Sequence, residues 1–97
     1  MDLEAFKETI LKGKTPDGLS PPLAALWAEA RGEWDKAHRF VQEEGDRRAA
    51  WVHAYLHRKK GDEANAAYWY ARAGRSASEL SFEQEWAEIA TALLNDG

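Results

Sequence analysis

Ala25-Leu-Trp-Ala-Glu-Ala-Arg-Gly-Glu-Trp-Asp-Lys-Ala37 and Ala54-Tyr-Leu-His-Arg-Lys-Lys-Gly-Asp-Glu-Ala-Asn-Ala66 decide the fold of this chain. Each phrase is a run of helix formers, a Gly followed by an acidic residue, and a second run of helix formers, which predicts a helix, a tight turn and a returning helix. At a spacing of 29, Ala25 matches Ala54, Gly32 matches Gly61, Ala37 matches Ala66 and Val41 matches Tyr70. Small residues at such positions let two helices approach closely, while Trp34, Phe40, Trp69 and Tyr70 are large enough to fill the space between neighbouring pairs.

Outward from these two units, of about 20–45 and 46–75, turn residues divide the rest of the chain. Gly13, Pro16, Gly18, Pro21 and Pro22 mark one irregular stretch, and Gly32, Gly45, Gly61 and Gly74 leave room only for helices of three to four turns. Strand signals are absent: Val occurs only at Val41 and Val52, and no β-branched run alternates with period two. Six helices are predicted. The first runs from about Leu3 to Leu11, with Leu3, Phe6, Ile10 and Leu11 on its stripe. The second opens on Ser20 as N-cap and Pro21 at N1 and buries Leu23, Leu26, Trp27 and Ala30. The third spans about Glu33 to Glu43 with Trp34, Ala37, Phe40 and Val41 aligned. The fourth follows Asp46, and the fifth follows Asp62 and ends at Gly74. The sixth, about 81–94, opens on the capping-box pattern Ser81-Phe-Glu-Gln84 and carries Phe82, Trp86, Ile89 and Leu93. The expectation is a single all-α domain of antiparallel hairpins closed by a C-terminal helix.

The Gly-acidic turns and small crossing residues resemble the tetratricopeptide repeat, although the period is shorter than the usual 34 residues. That resemblance implies a right-handed array whose groove receives a protein or peptide segment, with self-association through exposed Trp as a further expectation. Separately, Trp51-Val-His-Ala-Tyr-Leu-His-Arg-Lys-Lys-Gly-Asp62 and Asn65-Ala-Ala-Tyr-Trp-Tyr-Ala-Arg-Ala-Gly74 resemble the signature phrases of a family of small bacterial proteins. This second resemblance brings no activity with it.

Composition narrows the chemistry. The chain has 97 residues, 44% hydrophobic, with five Trp and no Cys, so thiolate metal sites, disulfides and cysteine nucleophiles are excluded. A net charge of −4 argues against a general nucleic-acid or anionic-membrane binder. No stretch approaches eighteen apolar residues and no basic region precedes an apolar run, which gives a cytoplasmic expectation. The serines, Ser20, Ser76, Ser78 and Ser81, stand near caps and turns, and no nucleophile elbow, phosphate loop or dinucleotide fingerprint occurs. Neither an enzyme nor an organic cofactor is implied.

Three readings of the middle of the chain remain. His53 and His57 are one helical turn apart, as two-histidine metal sites on helices require, and Asp35 and His38 add donors from the preceding helix, so Asp35, His38, His53 and His57 form a candidate divalent-metal set. A small-ligand site is the second, using His38, His53, His57, Arg58, Asn65, Tyr68, Trp69 and Arg72 as apolar walls with a few polar groups. The third takes Arg47, Arg48, Arg58, Lys59 and Lys60 as a phosphate or RNA contact with Trp51 and Tyr55 stacking on bases. The fourth helix is apolar nearly all round, so its histidines are expected at least partly buried. Rings lining one solvent-reachable cavity favour a metal or ligand site; rings packed singly against carbonyls favour a scaffold.

Overall fold

The structure, a computed structural model, describes residues 1–96. It contains six helices and no strand among them: α1 Leu3–Lys12, α2 Pro21–Ala30, α3 Trp34–Val41, α4 Arg47–Lys59, α5 Glu63–Ala73 and α6 Phe82–Asn95. The tightest pairings are α2 with α3 and α4 with α5, the two predicted hairpins. Helix α4 is the hub, packed against α2, α3, α5 and α6, and every residue from Ala49 to Leu56 is buried. No helix among the described residues is long and apolar enough to cross a membrane.

Local chemistry sets the helix ends. Asp2, Asp46 and Asp62 each accept a backbone N–H in the first turn of the helix they open, and Ser81 and Gln84 form the reciprocal capping box of α6. Ser20 is extended before Pro21, as expected, but its hydroxyl makes no capping bond. Helix α3 starts at Trp34 and ends at Val41, shorter than the predicted span.

The core gathers Phe6, Leu26, Val52, Leu56 and Ile89, with Trp86 stacked on Phe6 at 5.9 Å and donating its indole N–H to the Leu26 carbonyl at 3.1 Å. Two carboxylates lie inside it. Glu85 is fully buried and accepts from Arg58 at 2.8 Å and from the Tyr70 hydroxyl at 2.6 Å; Glu29 pairs with Lys59 and faces the Tyr55 hydroxyl at 3.5 Å. Burial and the adjacent carboxylates push both tyrosines well above their ordinary range.

Four stripe residues depart from expectation: Ala30, the last residue of α2, is exposed, and so are three larger ones. Phe40 is 38% exposed, Leu11 83% and Phe82 42%. At about 100° per residue, Phe40 lies about 100° from the centre of the face formed by Trp34, Ala37 and Val41, and Leu11 is similarly displaced from Leu3, Phe6 and Ile10. Phe82, at the first position of α6, instead lies under the Arg58 guanidinium at 4.8 Å. No Trp is exposed: Trp27, Trp51 and Trp86 are buried, Trp34 and Trp69 half-buried. Association through exposed Trp is therefore not available to this fold.

Candidate metal centre

Helix α4 carries His53 and His57 on one face, and α3, packed across it, supplies His38. One nitrogen from each of the three rings lies within 4.8 Å of the other two. His53 Nε2 and His38 Nε2 are 2.9 Å apart. The rings of His53 and His57 stack at 5.0 Å, and His38 meets both edge-on, at 4.7 and 5.3 Å.

Two indoles wall the cluster. Trp34 stacks on His38 at 5.0 Å and Trp69 on His53 at 3.9 Å. Trp34 is held by its N–H bond to the Leu56 carbonyl at 2.8 Å. Cations cover these indoles: Lys60 Nζ stands 3.9 Å from the Trp34 ring and Arg72 is 5.3 Å from that of Trp69.

The electrostatics keep all three imidazoles neutral. Burial is the largest influence on each and lowers its pKa; His53, which also feels His38 and His57, falls to about 4. Asp35 and Asp62 partly oppose this at His38 and His57 respectively. A neutral imidazole carries one N–H and one lone pair. In the His38–His53 contact one Nε2 donates and the other accepts, so the tautomers of the two rings are coupled. His53 Nδ1 is buried and has no hydrogen-bond partner among the described residues. Leaving such a group unpaired costs about 1–3 kcal/mol, which marks the cluster as a place where folding stability is not maximised.

The dimensions suit one metal ion. Two imidazole nitrogens bound to one tetrahedral ion at about 2.0–2.1 Å stand about 3.4 Å apart. The observed separations, 2.9 Å for one pair and at most 4.8 Å for the set, straddle that value, so rotamer-scale adjustment is enough.

The other predicted residues divide clearly. Asp35 is exposed and outside the converging set, close enough to act on His38 only through its field. Arg58 is not at the site: it turns to α6, binding Glu85 and the Leu80 carbonyl. Asn65 donates Nδ2–H to Asp62 at 2.6 Å. Tyr68, 53% exposed, meets Trp69 edge-on and accepts from Arg72 at 3.1 Å, forming an outer rim. The basic stretch is dispersed as well. Arg48 pairs with Asp46 and Asp96, Lys59 with Glu29, and Lys60 lies on Trp34. Trp51 and Tyr55 are 6% and 1% exposed, so neither is available to stack on a base.

Trp34 as a stacking wall was not part of the predicted site. Its signal is the i, i+4 spacing to His38, which puts both rings on one helix face. Shifted by 29 residues, His38, His53 and His57 correspond to Ala67, Ala24 and Ala28, so each histidine stands where the other hairpin has the smallest side chain. Comparisons of the chain with protein-family models, curated proteins and solved structures find no match.

Proposed function

We propose that this protein binds a divalent transition metal through His38, His53 and His57. The observation that carries the reading is the convergence of three neutral imidazoles from two helices, with one nitrogen of each within 4.8 Å of the other two. Three nitrogen donors without a thiolate suit Zn²⁺, Cu²⁺, Ni²⁺ or Co²⁺ and do not suit Ca²⁺ or Mg²⁺, which take oxygen. Three protein ligands leave a fourth position for water or an external group, the arrangement of exchangeable rather than closed structural sites. Isothermal titration with ZnCl₂ tests this: the wild type binds one equivalent, and His38→Ala, His53→Ala and His57→Ala each abolish tight binding. Zinc binding that survives all three substitutions sinks the reading.

An interaction role is the second reading, supported by a cleft of about 670 Å³ between α1, α2, α4 and α6 that is lined in part by Lys7, Glu29, Lys59 and Glu83. The exposed Leu11 and Phe82 flank it, with Ile10, Trp86 and Ala87 along its wall. A partly apolar cleft with solvent-facing Leu and Phe is a surface suited to a protein or peptide segment. Loss of a captured partner on Leu11→Asp, but not on His53→Ala, supports this role; equal capture by both variants rejects the cleft.

A further inference from the structure

The turn that ends α4 places an acid against one of the three histidines. Gly61, at φ +85°, donates its N–H to the Arg58 carbonyl at 3.0 Å, and Asp62 donates its own to the His57 carbonyl at 2.9 Å. This is the paired bonding of a Schellman cap, in which the residue two beyond the cap is folded back beside the residue three before it. A hydrophobic contact usually fills that position. Here it is occupied by a carboxylate and an imidazole, with Asp62 Oδ2 3.9 Å from His57 Nδ1.

The contact is particular to this turn. The turn after α2 has the same two bonds, Gly32 to Glu29 and Glu33 to Ala28, but the folded-back pair is Glu33 with Ala28, which has nothing to orient. Asp62 is itself held. Its Oδ1 accepts the Asn65 backbone N–H at 3.3 Å and its Oδ2 the Asn65 side-chain N–H at 2.6 Å. The carboxylate beside His57 is therefore fixed in direction.

We propose that Asp62, clamped by Asn65, is a positioning residue that holds His57 as the Nδ1–H tautomer and so keeps its Nε2 lone pair free for the metal. At 3.9 Å the contact is longer than a hydrogen bond, so the carboxylate favours the proton on Nδ1 through its field; where a carboxylate partner orients a metal-binding histidine, removing it weakens metal binding about 10–100-fold. At 3.9 Å and partly exposed, the contact contributes little to folding by itself. Its role is in direction rather than in stability.

The consequence for affinity rests on the metal reading above; the tautomer does not. Two-bond ¹H–¹⁵N correlation spectra of the metal-free protein report the tautomer directly. The wild type shows His57 protonated at Nδ1, and Asp62→Ser shifts it toward Nε2–H. Ser retains the helix cap but is too short to reach the ring. In zinc titrations Asp62→Ser loses about 10–100-fold in affinity, Asp62→Asn, which keeps an oxygen of the same reach but not the charge, recovers part of it, and Asn65→Ala gives an intermediate loss. His57 found as Nε2–H in the wild type overturns the proposal even if Asp62→Ser does not fold. Zinc bound equally by wild type and Asp62→Ser also overturns it and leaves the metal reading standing. If zinc does not bind the wild type, the metal reading fails alone and the metal-free spectra decide the role of Asp62.

Discussion

His53 Nε2 lies 2.9 Å from His38 Nε2, on a different helix and fifteen residues away in sequence. The contact satisfies one nitrogen of each ring and leaves His53 Nδ1 buried without a partner among the described residues. A core selected only for stability would place an apolar side chain here, since a well-packed hydrocarbon has no polar group to satisfy. The consequences of this arrangement can be measured separately.

Replacing His53 by Leu removes the unpaired nitrogen while keeping comparable volume. Replacing both partners of a hydrogen bond by apolar groups of similar shape is neutral to stabilising, whereas removing one leaves the other unpaired, so the metal-free double variant His38→Leu/His53→Leu is expected to be as stable as the wild type or more stable by about 1 kcal/mol. Urea denaturation checks this. The same variant loses zinc binding, separating stability from function.

Acid should destabilise the protein through this cluster. His53 has a folded pKa of about 4 against an ordinary value of 6.5, so below pH 6.5 the unfolded chain binds the proton first. Stability therefore rises with pH across this window and is lost as pH falls from about 6.5 to about 4. The His53 shift corresponds to a loss on the order of 3 kcal/mol at 1.36 kcal/mol per unit, and His38 and His57 act in the same direction. Urea midpoints at several pH values measure the slope, and His53→Leu should flatten it.

Glu85 is fully buried against Arg58 and Tyr70. Removing one partner of a buried pair leaves an uncompensated charge, and Arg58→Met is expected to cost about 3–5 kcal/mol. The double change Arg58→Met with Glu85→Leu should recover much of that loss. A denaturation cycle over the four proteins gives the coupling.

Gly61 adopts φ +85° with open space where a Cβ would stand, so the cost of substituting it is backbone strain without a clash. Gly61→Ala is expected to lower stability by about 1–2 kcal/mol and, by shifting Asp62 away from His57, to weaken zinc binding as well. Gly61→Asn, which tolerates the left-handed region better, should be milder in both respects.

Much of this protein is determined by short-range chemistry that the sequence displays by itself. Gly61, Asp62 and the Ser81–Gln84 box end and begin helices through bonds within a few residues, and the apolar run from Ala49 to Leu56 marks α4 as central because only an enclosed helix buries every face. The i, i+4 spacing likewise puts His53 and His57 together. What the sequence alone left open depends on how α3 crosses α4. That packing brings His38 to His53, keeps Asp35 outside the cluster and turns Arg58 away toward Glu85. Helical periodicity determines which residues share a face, but not which face of a neighbouring helix they meet. That choice is made by the volumes of buried side chains such as Ala37, Val41 and Leu56, and only the tertiary structure combines them.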